Sequence, residues 1–262
     1  MRKAVVLDKS GTIIDPCRVV YNIKEGKWFY HISTLNYVVE KGGVLVNLRG
    51  KIQDIIAGDI TKARLKVSCC ALKSYPPIEK SRLLDQAVLE GIRGTYEKAL
   101  THCPSELGAC VAVVLDQEGE VTDIVGLGGK LYPDVKESVR NMQESGTDVY
   151  LATGNCKEMT VKCADLLNIP RRAAIFDASP EEKRELVRRL RGFYGSVVMV
   201  GNDINDLIAM READVSVLIR RKGEFQKANL CSEVDYFVDS LTEVARIVLE
   251  IRPVDQSDFI SK

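Results

Sequence analysis

The sequence lacks the features that would tie it to a membrane, a nucleic acid or an oxidising compartment. A membrane span needs roughly 18 to 20 uninterrupted apolar residues. The longest runs here are strand-sized, such as Val197 to Val200, so no membrane partner is expected. Net charge is missing too: Lys plus Arg, 37, balance Asp plus Glu, 37, and no basic field exists to neutralise a phosphate backbone. Nucleic acid is therefore not an expected partner. Eight cysteines form no C-x-x-C pair, and a chain of 262 residues can bury a full core without staples, so reduced, mostly buried thiols are expected. Cys156 and Cys163 read as core rather than as metal or redox groups. The apolar stretch Ala4-Val5-Val6-Leu7 is too short for a signal peptide before Asp8 and Lys9 interrupt it, and the expected location is the cytoplasm. Neither an internal repeat nor a low-complexity tract occurs.

What is present is an ordinary soluble composition, 45% hydrophobic and 28% charged. At roughly one domain per 150 residues, the length suggests two domains or one core with a large insertion. From residue 128 onward, apolar runs (Thr147 to Ala152, Ala173 to Phe176, Ser196 to Val200, Val215 to Ile219) alternate with helical patterns (Val135 to Glu144, Cys156 to Leu167, Glu181 to Arg191, Leu207 to Glu212). That alternation predicts a parallel sheet covered by crossover helices, with Lys3 to Leu7 as a further buried strand. Pro16 to Leu127 reads instead as hairpin pieces, including Ala109 to Leu115 against Val121 to Val125, plus one long helix over Glu79 to Leu100. The expected architecture is an α/β, three-layer, Rossmann-like core (1–15 and 128–262) with an inserted α+β cap domain (16–127) over the active site. His31 and His102, the two histidines, both fall in the insertion.

Four polar loops follow predicted strands or open predicted helices. Leu7-Asp8-Lys9-Ser10-Gly11-Thr12 puts a carboxylate where the ligand crevice of an open parallel sheet lies, although an Asp that merely caps backbone amides is an equal reading. Thr153-Gly154-Asn155 offers a hydroxyl and exposed amides at a helix start, suited to phosphate, although on its own an ordinary helix N-terminus is the favoured reading. Ser179-Pro180-Glu181-Glu182 has a structural account as N-cap, N1 proline and capping-box glutamate. Lys183 does not, because a cation in the first turn opposes the helix dipole; it is read as aimed at an anion. Gly201-Asn202-Asp203-Ile204-Asn205-Asp206 delivers two carboxylates and two amides, and hard divalent cations such as Mg²⁺ take oxygen ligands of this kind.

Asp8-Lys9-Ser10-Gly11-Thr12 resembles the D-K-T-G-T phosphorylation motif of P-type ATPases. Leu131-Tyr132-Pro133-Asp134, Thr153-Gly154, Pro180 with Lys183, the 201–206 block and Ala213-Asp214-Val215 are similar to that family's later motifs, in the same order. The broader resemblance is to the haloacid dehalogenase (HAD) superfamily, and within it to the soluble P-type-ATPase-like phosphatases. The insertion stands in the position of the ATPases' nucleotide-binding domain, so nucleotide is a further candidate partner. Lys41-Gly42-Gly43 is similar to a nucleotide-site lysine motif, but Lys-Gly turns are common and a structural turn is the favoured reading.

The resemblance implies a Mg²⁺-dependent phosphatase of the HAD type, acting on a small phosphorylated substrate through an aspartyl-phosphate. Asp8 would be the nucleophile, with Ser10 and Asp206 in the catalytic group. Thr153, Gly154, Lys183 and Asn205 would hold the phosphoryl oxygens. The metal would sit on Asp8, the Ser10 carbonyl and the loop at Asn202 and Asp203. In two places the sequence departs from the pattern. Asn202 stands where the ATPases have aspartate, with Asp203 read as compensating, and Ser10 stands where superfamily phosphatases have an acid/base aspartate. These departures sustain a second reading, a regulatory or phospho-ligand-binding module of the same fold with little turnover.

Overall fold

In a computed structural model of the chain, residues 2–30, 33–70, 75, 77–103, 106–221 and 228–251 are described. The chain begins with β1 (Lys3–Leu7), then runs through β2 (Ile14–Asn22), β3 (Lys27–Tyr30), α1 (Thr34–Lys41), β4 (Val44–Arg49), α2 (Ile52–Ile56), β5 (Arg64–Cys70), α3 (Gln86–His102), β6 (Cys110–Leu115) and β7 (Val121–Leu131). It continues with α4 (Val135–Glu144), β8 (Asp148–Ala152), α5 (Lys157–Leu166), β9 (Ala174–Ile175), α6 (Pro180–Arg191) and β10 (Ser196–Gly201). The last elements are α7 (Leu207–Met210), β11 (Val215–Ile219), α8 (Ala228–Cys231), β12 (Tyr236–Val238) and α9 (Leu241–Glu250). Two compact units result, Met1–Asp15 with Leu131–Lys262, and Pro16–Lys130.

The first unit is a wholly parallel sheet in the order β12-β11-β10-β1-β8-β9. Ala4 to Leu7 are fully buried on both faces of β1, as a central parallel strand requires. On one face Ala4 and Val6 join Val197 and Met199 against Leu186, Val187 and Leu190 of α6. At about 25 cal/mol per Å², each such side chain contributes roughly 1.5–3 kcal/mol. Leu7 pairs with Val200 on one side and Leu151 on the other, so β1, β10 and β8 end level with one another. The strand order runs outward from β1 in both directions, and that reversal opens a crevice at the carboxyl ends. Ser179 starts α6 through the expected reciprocal capping box with Glu182.

The second unit is an antiparallel sheet, β3-β2-β7-β6-β4-β5, with α3 burying Val88 and Ile92 in its core. The hairpin of β6 and β7 is present, with a register shift between Val114 and Leu115. The expected single helix from residue 79 is divided. Lys80–Leu84 is a 3₁₀ turn, and Asp85 starts α3 by accepting hydrogen bonds from the Ala87 and Val88 amides. Lys41-Gly42-Gly43 forms the end of α1, with Gly42 in the left-handed region at φ 62°.

The expectation of reduced thiols fails at one pair: Cys17 on β2 and Cys103 at the end of α3 form a disulfide. The sequence separation of 86 residues gives no signal, because the pairing is made by α3 packing on the sheet. Among the described residues, Cys163 and Cys231 carry no disulfide, and Cys163 is buried. A cross-link of that span typically contributes about 2–4 kcal/mol by restricting the unfolded chain. Reductant should therefore lower the urea midpoint of the wild type, and a Cys17→Ser/Cys103→Ser variant should start at that lower midpoint and ignore reductant. A wild-type midpoint indifferent to reductant would contradict this.

Candidate active site

Three adjacent strand ends supply the site. β1 delivers Asp8, whose amide donates to the Val200 carbonyl at 2.9 Å. β8 delivers Thr153, whose amide donates to the Ile175 carbonyl at 3.0 Å. β10 delivers the loop from Gly201. The first turn of α6 adds Lys183, whose ammonium donates to Asp8 Oδ1 at 2.6 Å and to Asp206 Oδ1 at 2.7 Å. All three side chains are at least nine-tenths buried. The anion that Lys183 meets is thus a pair of carboxylates from two different loops.

Burial has the largest effect on Asp8 and pushes its carboxyl up to about 6; Lys183 pulls it down, and Asp206 pushes it up. For Lys183, burial works against the charge, but Asp206 and Asp8 outweigh it and hold the ammonium above the ordinary lysine range. Two carboxylates and one ammonium leave one negative charge in excess.

Two glycines make the approach possible. Gly11 sits at φ +80°, and a Cβ there would lie 1.9 Å from Asn202 Nδ2, so the Asn202 amide packs directly on the Asp8 loop. At Gly201 a Cβ would lie 2.3 Å from Asp206 Oδ2, the oxygen that accepts the Asn202 amide at 3.2 Å. Asp203 is turned to a local task, its Oδ1 accepting the Ile204 amide at 2.7 Å. Asn205 is exposed on the turn beside Asp206.

Asn155 was not among the expected site residues, yet its Oδ1 accepts hydrogen bonds from Ser10 Oγ at 2.9 Å and Thr153 Oγ1 at 2.7 Å. It therefore fixes both hydroxyls. Its only sequence signal is its place directly after Thr153-Gly154. His102 stacks against Tyr30 within the insertion, with ring centroids 4.2 Å apart, and His31 lies outside the described residues.

Among the described residues no three His, Cys, Asp or Glu side chains group closely enough to hold a metal. A soft-ligand or all-carboxylate centre is therefore not built here. A hard divalent cation that keeps several waters takes oxygen ligands, and the buried Asp8 carboxylate and the Asn202 carboxamide packed on the Gly11 turn carry oxygens of that kind. The excess negative charge points the same way.

The haloacid dehalogenase-like hydrolase family matches residues 2–214. The chain belongs to that family. It is 25% identical over 264 residues to the soluble P-type ATPase-like phosphatase of Methanocaldococcus jannaschii, covering 96% of this chain and 94% of the relative. Identity to copper-transporting ATPase 2 of Rhizobium meliloti is 31% over 102 residues, 39% of this chain but 12% of the transporter. Among solved structures, the catalytic CPx-ATPase domain CopB-B is 16% identical with a TM-score of 0.47, covering 96% of this chain and 90% of that one. A phospho-aspartyl intermediate analogue of phosphoserine phosphatase is 13% identical with a TM-score of 0.45, covering 94% and 99%. The HAD-like hydrolase is thus an α/β enzyme, and no helix among its described residues is long and apolar enough to cross a membrane.

Lys183→Met would leave Asp8 and Asp206 without a counter-charge, at a cost of about 3–5 kcal/mol near neutral pH. Without Lys183, the Asp8 pKa would rise above its present value of about 6. A carboxyl with a folded pKa above its unfolded value of about 3.9 contributes its full stability below that value and loses it as pH rises through the folded pKa. The variant's deficit in urea unfolding should therefore shrink on going from about pH 7.5 to about pH 5. An equal deficit at both would contradict the electrostatic account.

Proposed function

We propose that this HAD-type hydrolase is a phosphatase that cleaves the phosphate ester of a small molecule through a phosphoaspartyl intermediate on Asp8. The observation that carries this reading is the Lys183 ammonium shared between Asp8 and Asp206 at the strand ends. It holds the Asp8 carboxylate charged and oriented, as a nucleophile must be, while Asp206 keeps the lysine in position. The relationship to the M. jannaschii phosphatase over nearly the whole of both chains supports the substrate class. A cytoplasmic location belongs to the same proposal.

In the first step an Asp8 oxygen bonds to phosphorus as the ester P–O bond breaks, and the leaving oxygen departs with the bonding electron pair and takes its proton from solvent. In the second, water attacks phosphorus, breaks the aspartyl P–O bond and returns the Asp8 carboxylate. Lys183, the Thr153 hydroxyl, the Gly154 amide and Asn205 bind the phosphoryl oxygens and stabilise charge as it develops there. A divalent cation, proposed as Mg²⁺, would be held by Asp8, the Ser10 carbonyl and Asn202, with Asp203 alongside, and supplies positive charge to the transferring group. Asn202 is the favoured ligand of the two, because its amide packs on the Gly11 turn while Asp203 caps Ile204. This reverses the expectation that Asp203 compensates. Asn202→Ala should therefore raise the half-saturating Mg²⁺ concentration more than Asp203→Ala does, and the opposite order in a titration would refute the assignment.

Ser10 donates its hydrogen bond to an amide oxygen, which takes up no proton at neutral pH, so no general base stands at that position. Such a base typically contributes about 10²- to 10⁴-fold. Hydrolysis of the intermediate should be slow. With p-nitrophenyl phosphate and Mg²⁺, the wild type should release a burst near one equivalent per active chain, followed by slow turnover. Ser10→Asp should accelerate the slow phase, and Asp8→Asn should abolish both phases while keeping its circular dichroism. Wild-type activity in folded Asp8→Asn would sink the mechanism. A panel of metabolite phosphates that includes nucleotides then separates the substrate candidates.

A further inference from the structure

A second buried charge cluster lies outside the catalytic carboxylates. Arg221, just beyond β11, has a side chain only 5% exposed. Its Nε and Nη2 donate to the Thr12 carbonyl at 2.9 and 2.5 Å, and its Nη1 donates to both oxygens of Asp134 at 3.0 and 2.9 Å. The guanidinium carbon lies 4.2 Å from the Tyr132 ring centroid, and the Tyr132 amide donates to the Ile13 carbonyl at 3.1 Å. Asp134 Oδ2 also accepts the Leu241 amide at the start of α9, at 2.6 Å.

Thr12 closes the loop that carries the nucleophile. That loop is a tight turn in which Ile13 and Ile14 amides both donate to the Lys9 carbonyl, and the Gly11 amide donates to the Ile14 carbonyl. Arg221 captures Thr12 O, on the far side of Ser10 from Asp8. Replacing a buried ion pair with apolar groups is often neutral or stabilising, so a pair kept in the interior is weak as a source of stability and better explained by the geometry it imposes. The guanidinium is suited to this because its planar fork reaches three acceptors at once, which a single ammonium does not.

We propose that Arg221 is a positioning residue for phosphoryl transfer. It fixes the Ser10–Thr12 turn, and with it the Asp8 carboxylate and the Ser10 carbonyl, against the Tyr132–Asp134 segment. Its kinetic consequence rests on the phosphatase reading above, whereas its effect on the loop does not.

Two variants of the full chain test it. Arg221→Lys keeps the charge and loses the fork. Arg221→Met/Asp134→Asn removes both charges while keeping an acceptor for Leu241. In each, the Gly11, Ile13 and Ile14 amides should exchange hydrogen at least about tenfold faster, with the amides of β8 and β10 unchanged. Displacing reacting groups by about 1 Å costs on the order of 10²-fold, so the rate constant of the burst with p-nitrophenyl phosphate should fall about 10- to 100-fold. Loop exchange equal to wild type overturns the proposal, and so does a loosened loop with an unaltered burst rate. If the wild type shows no Asp8-dependent turnover, the phosphatase reading fails, and loop exchange alone decides whether Arg221 holds the turn.

Discussion

One ammonium between two buried carboxylates organises this molecule. Lys183 can remain charged in the interior because Asp8 and Asp206 flank it within hydrogen-bond distance, and its charge in turn draws the Asp8 carboxyl down against the effect of burial. The three groups come from the end of β1, the first turn of α6 and the loop after β10, so no local stretch of sequence assembles them. The parallel register that ends β1, β8 and β10 level does so, and the side-chain-free positions at Gly11 and Gly201 let the loops close over one another. A capped, proline-started α6 supplies the rigidity that aims the lysine.

Much of this was legible in the residues. Strands apolar on both faces, such as Lys3–Leu7 and Ser196–Gly201, have no alternative reading once helices alternate with them. Lys183 stood out because its charge opposes the helix dipole it sits in, an anomaly that only a nearby anion relieves. Other features left no mark. Asn155 looks like any polar residue at a helix start until the two hydroxyls it receives are seen. Arg221 sits in a run with Arg220 and Lys222, where a charged surface is the natural reading, and its burial depends on Thr12, 209 residues away. The Cys17–Cys103 bridge and the short helices α1 and α2 are consequences of packing, invisible to periodicity.

The two departures, Asn202 from the ATPase-like pattern and Ser10 from that of the superfamily phosphatases, have different physical weights. At Asn202 the side chain packs on the Gly11 turn, and a carboxamide in place of a carboxylate there removes a charge. At Ser10 a hydroxyl bonded to an amide replaces a group able to accept a proton, and a whole chemical function goes with it. On the proposed mechanism, such a site would form an acyl-phosphate more readily than it discharges one.

The most direct measurement of the central claim is chemical trapping of that acyl-phosphate. Protein mixed with a phosphodonor and a divalent cation, quenched in acid and reduced with labelled borohydride, should carry label on the carbonyl carbon of Asp8, in a single peptide and near one equivalent per active chain. Turnover without label on that peptide, or label found on Asp206 or elsewhere, would contradict the assignment of Asp8 as the nucleophile.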